Sequence, residues 1–303
     1  MKEIRDLIRF WDARNGQPLA LATLVSAQGS SYRRPGARML INASGDYAGG
    51  VSAGCIEDEV IACSRKVLRN GEPQLLTFDT RLRFGCNGTI QIFVEVARAD
   101  VMNEVRECIA NRQNCRLETL LRGNTLGTRL AGFHTRSDSF VQNLEPVLRL
   151  VLVGDSSDTI ALRTQAALLG WNILQYEAPP VPADAIDNRT AVVVATHHFG
   201  RDCAALRDLL PTQLRYLGLV GSRRRRDDIL FDVLNQGLTV SDGLFAPAGL
   251  HLGAETPEEI ALSIVTEIQC VFASGTAQQL RHRSAPIHQA LPAALAPCTA
   301  SAA

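Results

Sequence analysis

The stretch that decides the fold is LRLVLVG, residues 148–154, where apolar residues run with one interruption into a glycine. A nearly continuous apolar run bounded by a turn residue predicts a strand buried on both faces. Further strands of this kind are predicted at 172–177, 191–196 and 216–220, and helices between them at 158–169 and 201–210. Buried strands that alternate with helices predict a doubly wound parallel sheet, that is, a Rossmann-like domain.

Upstream of this stretch the pattern is mixed. Strands are predicted at 19–25, 37–41 and 89–96, and a helix at 55–68. Residues 100–143 show charged helical patches and few landmarks, so we interpret them as the end of the first domain and a linker.

Downstream, a helix is predicted to begin after Thr256, which suits the N-cap. Pro257 suits the first turn and Glu259 completes a capping box. An alanine- and proline-rich tail follows, for which we predict no ordered structure. The predicted fold class is α/β, with an N-terminal mixed α+β domain at 1–145, a Rossmann-like domain at 146–283 and the tail at 284–303.

Composition narrows the class of protein. The chain has 303 residues, which suits about two domains of roughly 150 residues. The formal net charge is zero, so no overall field attracts nucleic acid or a membrane, and we predict neither as a partner. No apolar run reaches about 18 residues, the N-terminal segment is charged throughout, and the eight cysteines form no CxxC pair. We therefore expect a cytoplasmic protein with reduced thiols.

The first candidate site is the loop GSSYRRPGAR, residues 29–38. Glycines let backbone N–H groups approach a ligand closely, and arginine offers a planar fork that suits phosphate. The alternative is a polar loop with solvated arginines. The candidate ligand-binding residues are Ser30, Ser31, Arg33, Arg34 and Arg38.

Two cysteines lie in glycine-rich turns. Gly54 and Cys55 occur in GGVSAGCIE, residues 49–57, just before the predicted helix, and Cys86 occurs in FGCNG, residues 84–88. The positive end of a helix dipole favours a thiolate, which can hold sulfur or contact a soft metal. The alternative is that each cysteine packs beneath a tight turn.

Three further motifs follow strands of the predicted parallel sheet. In GLVGSRRRRDD, residues 218–228, Gly221, Ser222 and Arg223 open a helix whose first turn is basic, an arrangement that favours a bound anion. The alternative is a solvated face on which the following aspartates offset the arginines. GDSSD, residues 154–158, has one of the three glycines of a dinucleotide fingerprint, which counts against classical NAD binding. The third motif, the histidine pair at 197–198, either contacts a ligand or belongs to a hydrogen-bonded loop.

Taken together, the motifs resemble the XdhC/CoxI family of xanthine dehydrogenase accessory factors. The resemblance covers both domains and runs through GSSYRRPG, VSAGCIE, GCNG and YLGLVGSRRR to PAGLHLGAETPEEIA, residues 247–261. It implies an accessory protein without turnover of its own, which binds molybdenum cofactor of the molybdopterin type. It also implies that a cysteine desulfurase sulfurates the bound cofactor, that an apo-molybdenum hydroxylase such as a xanthine dehydrogenase receives it, and that the protein forms a homodimer.

The chain departs from the family pattern in several turns. GDSSD stands where members usually have a Gly-Ala-Gly-His-Asp-like turn, and THH, residues 196–198, stands for a Thr-His-Asp-like loop. Ala53-Gly54 and Asn87-Gly88 each stand where members usually have Gly-Gly. The first departure puts phosphate contact by the first Rossmann turn in doubt.

The resulting hypothesis is a two-domain cofactor chaperone with its ligand in a cleft between the domains. The arginines of the first loop would hold the pterin phosphate, and Cys55, secondarily Cys86, would contact molybdenum. The turn at Gly221 and Ser222 would hold a nucleotide if the cofactor is the cytosine dinucleotide form. One alternative is an NAD(P)-dependent oxidoreductase with a degenerate Rossmann fingerprint. Another is a scaffold that docks a hydroxylase to its sulfur donor.

Overall fold

The computed structural model describes residues 2–14, 16–29, 31–79, 88–132 and 135–282. The chain divides into two compact units, residues 1–147 and 148–303. The predicted tail at 284–303 lies outside the described residues, as do Ser30 and Cys86.

The first unit is built on an antiparallel sheet. Its strands are β1 (Ala20–Gly29), β2 (Arg38–Ile41), β3 (Tyr47–Gly49), β4 (Gln74–Asp79) and β5 (Gly88–Val96). They pair in the order β3-β2-β1-β5-β4. The helices of this unit are α1 (Lys2–Asp12), α2 (Glu57–Asn70) and α3 (Ala99–Ala110).

Side-chain alternation along these strands places apolar residues on both faces of the sheet. On one face, Ala22, Leu24 and Met39 belong to a buried cluster with Val60 and Val67 of α2. On the other face, residues such as Leu21 and Leu40 belong to a cluster with α1 and α3. The sheet is therefore covered on both sides.

The prediction that residues 100–143 include a linker is wrong, because most of this range forms helix and sheet. After α3 the chain forms a second antiparallel sheet of β6 (Cys115–Leu120), β7 (Gly127–Leu130) and β8 (Ser139–Leu144), in the order β7-β6-β8. Charged residues within these strands hid the pattern. Glu118 is buried, and it is held there by Arg129 Nη2 at 2.8 Å and by the backbone N–H of Arg136 at 2.8 Å.

The second unit confirms the predicted parallel sheet. Its strands are β9 (Arg149–Val153), β10 (Asn172–Tyr176), β11 (Thr190–Val194), β12 (Tyr216–Leu219) and β13 (Leu244–Phe245), all parallel, in the order β10-β9-β11-β12-β13. Its helices are α4 (Ser157–Leu168), α5 (Phe199–Leu209), α6 (Arg223–Asn235) and α7 (Pro257–Ala273), with short 3-10 turns at Ala183–Ala185, Leu210–Thr212 and Leu280–His282. Helices α4 and α7 share one buried cluster, whereas α5 and α6 share the other. The sheet is thus doubly wound.

Both predicted helix caps are confirmed. Ser222 accepts a hydrogen bond from the backbone N–H of Arg225 at 3.2 Å, and Thr256 forms a capping box with Glu259. Among the described helices, none is long and apolar enough to span a membrane.

Candidate functional site

The glycine-rich connections of the first unit leave the sheet at one edge. Gly29, the last residue of β1, pairs with Gly88, the first residue of β5. In the same way Met39 of β2 pairs with Gly49 of β3, and Asp79 of β4 pairs with Thr89. The 30–37 loop therefore starts and ends at that edge, and the 50–56 loop starts there. Strand β4 ends and β5 begins at the same edge.

The loop after β1 leaves one of its arginines exposed. Arg33 makes a short ion pair with Glu3 of α1, and this hydrogen bond raises the pKa of the arginine. Ser31 Oγ donates to the Arg33 carbonyl at 2.8 Å. Arg34 is exposed, and its side chain makes no hydrogen bond or ion pair with any described residue. Arg34 is therefore the arginine of this loop that is best placed to meet an anion.

Arg38 lies beneath the loop. Its side chain is 4% exposed, and Nη1 donates to the Gly36 carbonyl at 3.3 Å and to Gln142 Oε1 of β8. Burial lowers the pKa of Arg38 to about 10. The structure therefore separates Arg38 from the exposed side chains of the loop.

Glu57 organises the turn that carries Cys55. The Glu57 carboxylate is buried and accepts from Ser52 N at 2.9 Å, from Ser52 Oγ at 2.5 Å and from Ile56 N at 3.2 Å. Ser52 Oγ in turn accepts from the backbone N–H groups of Gly54 and Cys55, each at 3.1 Å. Cys55 itself is exposed. The helix begins at Glu57, two residues later than predicted, and Ile56, with φ −129°, is its N-cap residue.

We expect Glu57→Gln to lower the free energy of unfolding by about 1–2 kcal/mol at pH 7, because hydrogen bonds to a charged group are lost. Burial raises the pKa of Glu57, but the Ser52 and Ile56 hydrogen bonds outweigh it, and the pKa is lowered overall. A lowered pKa stabilises the fold above the pKa of the unfolded state, and this contribution disappears as the pH falls through the folded-state pKa.

Urea unfolding of the wild type and of Glu57→Gln at several pH values measures this effect. The difference between them should shrink below about pH 4. Asp58→Asn, at the next and exposed residue, is the matched control and should show little effect. A stability difference between the wild type and Glu57→Gln that stays constant from about pH 7 to about pH 3 would contradict this role of the carboxylate.

In the second unit, polar contacts join the loops at the carboxyl ends of the strands. His197 Nε2 lies 2.9 Å from Asp158 Oδ2, which links the loop after β11 to α4. Asp202 of α5 accepts from Thr196 Oγ1 at 2.5 Å, and from Arg225 Nε and Nη2 at 3.2 and 2.7 Å. Ligands of open α/β sheets bind at this edge, beside the point where the strand order reverses. Here that point lies between β9 and β11.

The four arginines after Ser222 divide into two pairs. Arg225 is held by Asp202, and Arg226 contacts Asp227 Oδ1 at 2.6 Å and the Ala246 carbonyl at 3.3 Å. Arg223 and Arg224 are exposed and have no side-chain partner among the described residues. Of the predicted residues at this turn, Ser222 thus serves as the helix cap and Arg223 faces solvent.

Sequence reasoning missed three carboxylates. Glu57 lies within the VSAGCIE motif, and an acid five residues after Ser52 is a usable signal for such a turn. Asp202 follows a Thr-His-His turn at a strand end, which marks it as a partner for that turn. Glu267 accepts from Tyr216 Oη at 2.7 Å and from Gly249 N at 2.8 Å, and so fixes the loop after β13; no local pattern indicated this contact. Within the described ranges, no cluster of three or more His, Cys, Asp or Glu side chains is arranged to hold a metal ion.

Comparison with known proteins gives matches in both units. The model of the XdhC and CoxI family matches residues 12–79, and that of the XdhC Rossmann domain matches residues 150–268. A protein from Bacillus subtilis, named as a probable xanthine dehydrogenase subunit, is 28% identical over 82% of this chain and 91% of its own length. The molybdenum cofactor insertion chaperone PaoD from Escherichia coli is 26% identical, over 85% of this chain and 84% of the relative. A crystal structure described as a xanthine dehydrogenase from Bacillus halodurans has a TM-score of 0.75 at 25% identity, and the match covers 94% of this chain and 98% of that one.

Proposed function

This chain belongs to the XdhC and CoxI family, and on that premise we propose that it carries molybdenum cofactor of the molybdopterin type as cargo. The protein would support sulfuration of this cargo and deliver it to an apo-molybdenum hydroxylase such as a xanthine dehydrogenase. Its further partners would be a cysteine desulfurase and a second copy of the chain. The PaoD relative, named as an insertion chaperone, supports an accessory protein rather than an enzyme. The relative from Bacillus subtilis, named as a xanthine dehydrogenase subunit, supports a molybdoenzyme as the client.

The observation that carries the proposal is the turn in which Ser52 and Glu57 hold Cys55 exposed. This turn leaves the same sheet edge as the loop that exposes Arg34. A thiol suits molybdenum and its sulfur ligands, and a guanidinium suits the phosphate of the pterin. One edge of the sheet thus presents both a thiol for the metal and a guanidinium for the phosphate.

Each predicted residue of the first unit receives a role in this proposal. Arg34 and Ser31 make the first contacts with the phosphate, and Arg33 joins them when it exchanges Glu3 for the cargo. Arg38 supports the loop from below through Gly36. Ser30 and Cys86 keep their predicted roles in phosphate and metal contact, and Gly54 allows the backbone beside Cys55 to approach the cargo. The backbone of Gly54 has φ +104°, which favours glycine.

In the second unit, Gly221, Ser222 and Arg223 would hold a nucleotide phosphate if the cargo is the cytosine dinucleotide form. Helix α6 directs its N-terminal N–H groups towards this turn, where a negative charge is favourable. Arg223 and Arg224 add positive charge there.

The test is the amount of cargo that the purified protein retains. Protein from a molybdenum-replete host should contain molybdopterin, molybdenum and cyanide-labile sulfur. Cys55→Ala should lower the retained sulfurated cofactor by about tenfold, because a metal or sulfur contact is removed. Cys270→Ala, at a partly exposed thiol of the second unit, is the matched control and should retain wild-type amounts. Wild-type protein without cofactor would refute the proposal, and equal retention by both variants would remove Cys55 from it.

The alternative of an NAD(P)-dependent oxidoreductase rests on the parallel sheet alone. The strand order corresponds to 2-1-3-4-5, whereas dinucleotide-binding domains typically show 3-2-1-4-5-6. The turn after β9 also lacks two glycines of the fingerprint. Fluorescence titration with NADH and NADPH distinguishes this alternative from the cofactor chaperone. A docking scaffold would instead bind its partners without retaining cofactor.

A further inference from the structure

Two buried cysteines of the first unit lie side by side. Cys108 is in the last turn of α3, and Cys115 is the first residue of β6. Both carry free thiols and belong to the buried cluster that α1 and α3 form against the sheet. The two thiols are hydrogen-bonded to each other, with Cys115 as the donor and Cys108 as the acceptor. Their sulfur atoms are therefore neighbours in the folded chain.

A tight backbone turn connects the two cysteines. Gln113 N donates to the Cys108 carbonyl at 2.8 Å, and Arg112 adopts a positive φ of 54°. The side chain of Arg112 also donates to the Val147 carbonyl at 2.9 Å. The turn thus holds the thiols together in the folded state. A disulfide has a sulfur–sulfur bond of about 2.0 Å, which a hydrogen-bonded pair of thiols approaches by side-chain rotation.

The two thiols differ in their surroundings. Cys108 is 8% exposed and its S–H donates to Glu104 Oε1 at 3.9 Å, whereas Cys115 is 4% exposed. Burial raises the pKa of both thiols, to about 12 for Cys115. Their mutual hydrogen bond lowers the pKa of Cys108 and raises that of Cys115. Among the charged neighbours, Glu104 raises both pKa values, Glu107 raises that of Cys108, and Arg38 lowers that of Cys115. Cys108 is therefore the thiol that ionises more readily and is better placed to meet an oxidant.

We propose that Cys108 and Cys115 are a redox pair, which a peroxide converts into an internal disulfide. The Cys108 thiolate attacks one oxygen of hydrogen peroxide, the O–O bond breaks, and hydroxide leaves a sulfenic acid on Cys108. The Cys115 thiolate then attacks the Cys108 sulfur, the S–O bond breaks, and a second hydroxide leaves. The two hydroxides take up the two thiol protons. Two thiols and one peroxide thus give one disulfide and two water molecules.

The disulfide would tie the end of α3 to the first strand of the second sheet. A cross-link of this kind restricts the unfolded chain and so stabilises the folded one. The pair is independent of the proposed cargo, because Cys55 lies in a different loop and takes no part in the reaction.

A peptide map of the full wild-type chain tests the proposal. The reduced protein is treated with hydrogen peroxide, its remaining thiols are alkylated, and trypsin is added without a reductant. Cleavage after Arg106, Arg112 and Arg116 places the two cysteines on separate peptides, 107–112 and 113–116. We expect these peptides to be joined by a disulfide that a reductant cleaves. The rate of joining should rise about tenfold per pH unit from pH 7 to about pH 8.5, because the thiolate is the reacting form.

Separate peptides would overturn the proposal, whether both cysteines carry the alkyl label or Cys108 is found only as sulfinic acid. Cys115→Ser should stop the reaction at the Cys108 sulfenic acid, which a 1,3-diketone traps. Cys63→Ser is the matched control, because it removes another buried thiol of the same unit, and it should form the cross-link at the wild-type rate.

Thermal unfolding provides the second measurement. Oxidation should raise the thermal midpoint of the wild type and of Cys63→Ser by about 5 °C. It should not raise the midpoint of Cys115→Ser, which cannot form the cross-link. An equal rise in Cys115→Ser would overturn the proposal.

Discussion

Replacement of Asp202 by alanine is expected to lower the free energy of unfolding of the second unit by about 2–4 kcal/mol. Asp202 is 0% exposed and accepts from Thr196 Oγ1 and from two nitrogens of Arg225. Removal of one member of a buried ion pair costs about 3–5 kcal/mol, because the remaining charge loses its partner. The expected value is smaller here because the Arg225 side chain is 27% exposed and regains some hydration.

Urea unfolding followed by circular dichroism measures this loss. Asp227→Ala removes the partner of Arg226 at a largely exposed carboxylate, and the expected change is below about 1 kcal/mol. The double variant Asp202→Ala with Arg225→Met should be more stable than Asp202→Ala alone, because the unpaired charge is gone. If Asp202→Ala and Asp227→Ala lose the same stability, the buried pair does not hold these loops.

Replacement of Gly154 by alanine is expected to cost about 2–5 kcal/mol. Gly154 ends β9 with φ +128°, a conformation that side-chain-bearing residues rarely adopt. A Cβ atom there would lie 2.4 Å from the Ala195 carbonyl oxygen, beyond the end of β11. Since a backbone atom cannot move aside without displacing its strand, strain and steric overlap add together.

The matched control for this variant is Gly237→Ala. Gly237 also has a positive φ, +80°, but a Cβ there meets nothing within 4 Å. Gly237→Ala should therefore lower the free energy of unfolding only by the cost of the positive φ, about 1 kcal/mol. Thermal unfolding of both variants separates the two contributions. Equal losses would show that close packing of β9 against β11 does not restrict this position.

The parallel sheet was predictable because its strands are buried on both faces, so that Val151, Val193 and Leu217 occur in almost unbroken apolar runs. The helix caps were predictable because a capping box depends on residues only three positions apart, as with Thr256 and Glu259. Both signals are local in the sequence.

The second sheet of the first unit was not predictable in this way. Glu118 looks like a surface residue until Arg129 and the backbone of Arg136 surround it, and these partners lie 11 and 18 residues away. The burial of Arg38 was unpredictable for the same reason. Gln142, the side chain that accepts its hydrogen bond, lies 104 residues away in the sequence. A sequence pattern shows that a charge is present, but long-range contacts decide whether it faces solvent.

The location of the candidate site was therefore only partly predictable. The glycines at 29, 49 and 88 marked turns, and the antiparallel pairing brings these turns to one edge. The role of Glu57 in holding the Cys55 turn depends on side-chain geometry that the motif did not reveal.

The concentration of glycine-rich turns at one sheet edge has a consequence for tolerance to substitution. Apolar side chains on the two faces of that sheet maintain the fold, whereas turn residues such as Ser31, Arg34 and Cys55 contribute little to the core. The residues that maintain the fold and the residues that the turns expose are therefore largely separate sets of positions. Single substitutions of such exposed turn residues can therefore change what this edge of the sheet offers to a ligand while leaving the stability of the fold nearly unchanged.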